Sequence, residues 1–264
     1  MNEIITKKTN WDEMQELLTA YFSELGYKND GFHNCMLLDG DAYLIFENNE
    51  NLGFFSLGNS WDNGKMLRGF YVCPDSRNKT IEIFQKVVEI TQIEAALVAS
   101  NDSLFLSLVF EKMNALKTRF DMQAFNFTYG EPKRPAEYGM ECVVELKSNE
   151  LQEMERLTEG QWEGCFDDPD FTFYAIQSEG EVLGYGAIGK MKYNVRNVDV
   201  GNFTLPQNRK KGVGRSLIIN LSNIAISKGY MPVAGCWYGN RNSIATLKSS
   251  GFKPENRIFY VRFQ

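Results

Sequence analysis

Parts of this chain read alike. Leu52-Gly53-Phe54 recurs as Leu183-Gly184-Tyr185, 131 residues on, and Gly69-Phe70-Tyr71-Val72-Cys73-Pro74 recurs as Gly201-Asn202-Phe203-Thr204-Leu205-Pro206 at 132. Asp102-Ser103 matches Asn242-Ser243 at 140. The same order of patterns surrounds both members of each pair: strand, helix, hairpin, strand stopped by proline, helix, short strand, helix, final strand. Repetition at this period implies an internal duplication, two α/β modules of about 125 residues, each a mixed sheet flanked by helices.

The pattern places the elements as follows. A strand at Ile4-Ile5 precedes a helix from Asn10 that Gly26 ends, with Trp11, Met14, Leu17, Leu18, Tyr21 and Phe22 on one face. Strands are expected at 42–47, 52–57 and 66–73, a helix from Arg77 to Gln92, a strand at 95–99, a helix from Leu104 to Lys117 and a strand at 120–129. Residues 131–139, with two prolines and alternating charge, read as a linker. Beyond it come a strand at 141–146, a helix at 149–161, a hairpin over 171–188, a strand ending at Pro206, a helix, a strand at 233–238, a helix over 243–250 and a strand at 257–263.

The formal net charge of −6 argues against a general nucleic-acid binder, which is usually basic. No stretch has the length and apolarity of a signal peptide or a membrane span. The five cysteines are scattered, odd in number and without a C-x-x-C pair, which implies reduced thiols in a cytoplasmic protein and no zinc or disulfide frame. His33 is the single histidine, which leaves Ser-His-Asp chemistry and multi-histidine metal sites very little material, and a surface or turn position is expected for it.

Against this acidic background Arg209, Lys210, Lys211 and Arg215 form a cationic cluster, with Gly212 and Gly214 between them at the start of a helix. Strand, basic glycine loop and helix N-terminus together suit phosphate: the first turn offers free N–H groups and about half a positive charge, and glycines let a ligand approach the backbone. The dinucleotide fingerprint fails at Leu217, and no G-K-S/T follows the glycines as a Walker loop requires. A solvated basic turn ahead of a core helix is the plainer reading.

Arg209-Lys210-Lys211-Gly212-Val213-Gly214 fits Q/R-x-x-G-x-G/A and resembles the acetyl-CoA-binding signature of the GNAT superfamily of N-acetyltransferases. Asn240-Arg241-Asn242-Ser243-Ile244, followed by Ser250-Gly251-Phe252, resembles that family's second helix. The resemblance is strong over 140–264 and a degenerate echo over 1–130. It implies two tandem modules, 1–130 without a CoA loop and 140–264 as the transferase domain. Each is a mostly antiparallel sheet flanked by helices, with a splayed parallel strand pair at the cofactor site. It further implies that main-chain groups of Phe203, Thr204 and Leu205 hold the pantetheine arm. Arg209, Lys210, Lys211, Gly212, Val213, Gly214 and Arg215 would hold the pyrophosphate, with Asn240 and Ser243 at the partner strand's mouth.

The implied reaction is direct attack of a primary amine, on a small molecule or a peptide, at the acetyl-CoA thioester, with no metal. Where the family commonly carries a tyrosine acid, this chain has Leu247. Tyr238 is a substitute candidate, although a buried aromatic with a satisfied hydroxyl is its plainer role. Asp199 is a candidate base acting through water, or simply a strand-start carboxylate in solvent. Glu163, Asp167 and Asp168 are positioned to attract a cationic amine, or form a solvated loop. In the first copy Thr80 and Glu82 replace the glycines and Asp75 adds charge, so that module is expected to bind no CoA. The rival to the whole reading is a non-catalytic CoA-binding or protein-interaction module.

Overall fold

The computed structural model describes residues 3–113 and 118–263. The chain forms two compact units, one from residues 1–27, 32–125 and 256–264, the other from 28–31 and 126–255. These units cut the chain differently from the contiguous spans 1–130 and 140–264, because the last strand and a short early segment belong with sequence-distant partners.

The first unit contains β1 (Ile4–Thr9), a 3-10 turn, α1 (Gln15–Glu24), α2 (Gly31–Leu38), β2 (Asp41–Glu47), β3 (Glu50–Asn59), β4 (Lys65–Val72), α3 (Thr80–Thr91), β5 (Ala95–Ala99) and α4 (Ser103–Met113). The helix expected through Lys117 is described only to Met113. Strands β1 to β4 form an antiparallel meander, β4 meets β5 in parallel, and β12 (Lys253–Phe263), the last strand of the chain, pairs antiparallel with β5 from Ile258 to Arg262. The core under this sheet is aromatic. Phe70 packs edge-on to Phe84 with centroids 5.2 Å apart, and Phe105 and Val261 close over them. Each such side chain contributes about 1.5–3 kcal/mol on burial. His33 corrects its expected surface position: it lies in α2, only 3% exposed, beside the Tyr21 ring, and burial pushes its imidazole down to about 4.

The second unit contains β7 (Val143–Glu145), α5 (Leu151–Leu157), β8 (Phe171–Ser178), β9 (Glu181–Lys190), β10 (Asn197–Thr204), α6 (Val213–Ser227), β11 (Met231–Trp237) and α7 (Arg241–Ser249), while β6 (Thr118–Thr128) is divided between the units after Phe125. Again the strands run antiparallel until one parallel pair, here β10 with β11. The fold is therefore the expected mixed α/β sheet flanked by helices, made twice.

The duplication is visible in backbone register. Gly53 stands opposite Val72, and Gly184 opposite Thr204, two residues before each proline. A register shift follows in the same place, after Ile45 in one unit and after Ile176 in the other. Both glycines are there for close approach: a Cβ would lie 2.0 Å from the Tyr71 carbonyl oxygen at Gly53 and 2.7 Å from that of Phe203 at Gly184. The helix caps correct one sequence match. Asp102 Oδ1 accepts from Phe105 N–H at 3.1 Å, and Asn240 Oδ1 from Ser243 N–H at 3.0 Å. The equivalent of Asp102 is thus Asn240, not Asn242.

The segment expected as a linker is tied down. Ser216 Oγ on α6 accepts from the N–H groups of Glu137 (2.8 Å) and Tyr138 (3.0 Å), and Asn220 Nδ2 donates to the carbonyls of Tyr138 and Gly139. Two buried polar side chains on an otherwise apolar helix face satisfy a strip of irregular backbone.

Candidate functional site

The site of the second unit begins where β10 and β11 part. They pair at only three positions, Asn197 with Met231, Val198 with Pro232 and Asp199 with Val233, whereas β10 stays paired with β9 from Val198 through Thr204. Pro232 has no N–H to give the ladder, and the Val200 N–H turns onto the Asp199 carboxylate. From Val200 onward the edge of β10 is open. The first unit parts at the equivalent place, β4 and β5 pairing only through Met66 and Leu67.

Main-chain direction along this edge alternates. The Leu205 N–H donates to the Leu183 carbonyl at 3.2 Å and Phe203 pairs with Tyr185, so these two residues turn their peptide groups to β9. Thr204, between them, turns its groups to the gap, where its carbonyl accepts from Arg209 Nε at 3.4 Å. Of the three residues expected to offer main chain to a ligand, Thr204 is the one facing the opening.

The gap leads to the N-terminus of α6. Ser216 N–H bonds the Gly212 carbonyl at 2.9 Å, which leaves the amides of Val213, Gly214 and Arg215 as the open donors of the first turn. Gly212 is left-handed, φ +82°, and a Cβ there would stand 2.9 Å from Glu137 Cβ. A Cβ on Gly214 would meet Asn202 Nδ2 at 2.9 Å, Thr204 Oγ1 at 3.1 Å and Thr246 Cγ2 at 3.3 Å. The glycines therefore serve the backbone's own packing, seating the helix end against β10 and residue 137, and this seating brings the open amides to the gap. Val213 is buried beneath them.

The cations divide. Arg209, Lys210 and Lys211 are exposed, with Lys211 Nζ 3.3 Å from Asn208 Oδ1. Arg215 turns away from the amides to the Pro135 carbonyl (3.0 Å) and Glu137 (3.3 Å). Lys210 sits at φ +64°, a conformation that costs an L-residue about 1–2 kcal/mol. Lys210→Gly is expected to raise the stability of the free protein by up to about 1 kcal/mol, after the entropy cost of glycine; denaturant midpoints at unchanged slope check it.

On the β11 side, Asn240 caps α7 with its side chain, and Ser243 gives its amide to that cap and its hydroxyl to Cys236. Burial pushes the Cys236 thiol up, Ser243 pulls it down and Asp30 raises it again. Tyr238 lies just past β11 and is 52% exposed, which corrects the expectation of a buried ring. Asp199 is opposite Val233, five residues earlier on β11, about 16 Å along the strand at ordinary rise. The two candidate catalytic groups are thus at opposite ends of the gap. Burial pushes the Asp199 carboxyl up to about 6, while the N–H groups of Gly31 and Val200 pull it back. Gly31 donates to Oδ2 at 2.7 Å. Sequence reading found no trace of Gly31, because the contact spans 168 residues. Trp162 is buried, its ring 3.5 Å from where a Cβ on Gly201 would be, while Glu163, Asp167 and Asp168 are exposed.

The first unit makes the same arginine-to-carbonyl bond as Arg209 makes to Thr204, and adds Glu24 and Tyr71 around its arginine. Arg77 Nε donates to the Val72 carbonyl at 3.2 Å, its guanidinium pairs with Glu24, and Tyr71 OH donates to Glu24 at 3.3 Å. Thr80, where the second unit has Gly212, opens α3 with its hydroxyl on the Arg77 carbonyl, and Glu82 stands in the first turn. Among the described residues no group of three or more His, Cys, Asp or Glu side chains is arranged to hold a metal ion, and no helix is long and apolar enough to cross a membrane.

Comparison with known proteins agrees with this geometry. A family model described as an acetyltransferase (GNAT) domain matches residues 10–129, and one described as the acetyltransferase (GNAT) family matches residues 138–252. None of the curated proteins matches the sequence. Among solved structures, an acetyltransferase from the GNAT family of Colwellia psychrerythraea is similar at TM-score 0.83 and 16% identity, over 99% of this chain and 100% of that one. A tandem GNAT protein from the clavulanic acid biosynthesis pathway is similar at TM-score 0.58 and 11% identity, over 99% of this chain and 98% of that one. With a parallel strand pair that parts early in each half, and a family model matching each half, the chain carries two GNAT domains in tandem and belongs to the GNAT acetyltransferase family.

Proposed function

We propose that the second unit binds acetyl-CoA and transfers its acetyl group to a primary amine by direct attack, and that the first unit binds no CoA. The observation that carries this is the continuity of the β10 open edge with the unpaired amides of α6. The pantetheine arm supplies amide groups that pair with an open strand edge such as that of Thr204. The pyrophosphate suits the amides of Val213, Gly214 and Arg215, with Arg209, Lys210 and Lys211 screening its charge. In the first unit the Arg77–Glu24–Tyr71 cluster and Glu82 stand where such a ligand would need open backbone.

In the reaction the ammonium of the acceptor loses a proton to Asp199, directly or through water. The amine lone pair forms the C–N bond at the thioester carbonyl, the C–S bond breaks, and the sulfur leaves as a thiolate that takes up the proton shed by the attacking nitrogen, giving the amide and the CoA thiol. Holding both reactants in one gap supplies much of the rate, so the absence of a tyrosine at Leu247 does not prevent turnover. The acceptor is a small-molecule or peptide amine, and free thiols fit a cytoplasmic enzyme.

The test has two stages. Saturating acetyl-CoA is expected to raise the melting temperature of the full chain; no shift sinks the cofactor assignment. Thiol release is then followed over an amino acid, spermidine, an aminoglycoside and a lysine peptide. Binding without thiol release on any of them supports the non-catalytic module instead.

A further inference from the structure

Asp199 is held by a segment remote in sequence from its own strand. Residues 28–31 lie across the point where β10 and β11 part. Gly31 N–H donates to Asp199 Oδ2 at 2.7 Å, and a Cβ built on Gly235 of β11 would fall 1.5 Å from Asp30 Oδ2. One residue of the segment thus touches each strand.

The glycine at 31 is informative. Its φ is not in the left-handed region, so the backbone there accepts any residue. What excludes a side chain is Asp199: a Cβ would lie 2.4 Å from Oδ2, 3.3 Å from Cγ and 3.4 Å from the Asp199 Cβ. Gly31 is small at the one place where a carboxylate must fit against its amide. A backbone N–H on a carboxylate oxygen fixes the group's orientation and favours its charged form. That force opposes the burial which raises the Asp199 pKa. The titratable groups on the elements packed there are Lys28, which pairs with Glu255 at 3.1 Å, Asp30, Cys236 on β11, and Lys190 of β9, next to the Gly189 that faces Asp199.

We propose that Gly31 is a positioning residue for acetyl transfer: its amide aims the Asp199 carboxylate at the acceptor amine, and its missing side chain leaves the carboxylate room to stand there. The proposal rests on the reading of Asp199 as the base. An ordinary cap, in which the carboxylate merely secures the chain at Gly31, makes the opposite forecast for catalysis.

The experiment compares full-chain wild type, Gly31→Ala, Asp199→Asn and the double variant, with acetyl-CoA and the best acceptor of the amine panel. Alanine is the better helix former at this helix start, so the fold is retained, and the acetyl-CoA melting shift verifies it. Gly31→Ala is expected to lower kcat roughly tenfold to a hundredfold at unchanged acetyl-CoA affinity and to displace the acid limb of the kcat–pH profile. The double variant is expected to be no slower than Asp199→Asn, since both act through one carboxylate. Wild-type kcat and pH profile in Gly31→Ala, multiplying losses in the double variant, or undiminished kcat in a merely less stable Asp199→Asn would each overturn the proposal. Failure of the wild type itself to bind acetyl-CoA or release thiol marks the failure of the transferase reading, and this inference falls with it.

Discussion

Gly214→Glu is expected to abolish the stabilisation that acetyl-CoA gives the wild-type protein. Glutamate is what the first unit carries in the equivalent first turn, at Glu82, so the substitution copies a difference the chain already contains. Two effects act together. A Cβ at position 214 presses on the side chains of Asn202, Thr204 and Thr246 at 2.9–3.3 Å, pushing them into the space beside the open amides. The new carboxylate also stands at the open amides of Val213 and Arg215, where it satisfies the helix dipole internally and repels an incoming pyrophosphate. At a hundredfold excess over Kd a ligand adds about 2.7 kcal/mol of stability, roughly 5–10 °C for a protein of this size. The variant is expected to show a flat melting temperature against acetyl-CoA concentration. Gly214→Ala, with the clash but no charge, should retain part of the shift. A full wild-type shift in Gly214→Glu would place the cofactor somewhere other than the start of α6.

The second large effect lies in the first unit and concerns stability. Asp102 caps α4 from a buried position: Oδ1 accepts from Phe105 N–H, and Oδ2 accepts from Tyr21 OH at 3.0 Å. Burial pushes its carboxyl from 3.8 up to about 7, against the pull of the Phe105 N–H and Tyr21 OH; nearby Glu24 raises it and Arg77 lowers it. Because the folded pKa is raised, the native state holds more protons than the unfolded chain between pH 4 and 7. Stability from this group therefore falls as pH rises through that window and is lowest above pH 7. A three-unit shift corresponds to about 4 kcal/mol at most. Asp199, raised to about 6, acts in the same direction. Asp102→Asn retains an equally good cap and leaves the Tyr21 hydroxyl an amide N–H to accept from. It also makes the cap identical to Asn240 of the second unit. The expected result is a variant more stable than wild type by about 1–3 kcal/mol at pH 8, with the advantage shrinking toward pH 5. Denaturation at both pH values measures it. A variant less stable at pH 8 would mean that the ionised carboxylate contributes more through its two hydrogen bonds than it loses through burial.

Much of this was readable from residue order. The proline-stopped strands, the glycine loop and the helices beyond them announce themselves through apolar period and turn residues, which are local properties. The two registers around Gly53 and Gly184 show that the matched triplets mark real equivalent positions. Helix α2 was missed because Gly31-Phe32-His33-Asn34-Cys35-Met36-Leu37-Leu38 has no clear polar face; His33, Asn34 and Leu37 are all buried. The strip at 131–139 has the composition of a free linker, yet Ser216 and Asn220 bind its backbone, and a serine or asparagine on a helix carries no sign of its partner. Asp199 and Tyr238 were each read from their own strand; only the β10–β11 register, with Asp199 opposite Val233, gives the distance along the gap between them.

Residue order alone establishes two modules, one opening a helix with a basic glycine loop (Arg209–Arg215) and the other with Thr80 and Glu82 in place of the glycines. Those facts follow from side-chain chemistry at fixed spacing. Tertiary packing alone pairs Ile258–Arg262 with β5 and places residues 28–31 with 126–255. Backbone hydrogen bonds are the same for every residue, so a strand edge or a loop amide cannot name its partner in advance. The partner is whichever chain segment packing brings within about 3 Å, and for Asp199 that segment is Gly31.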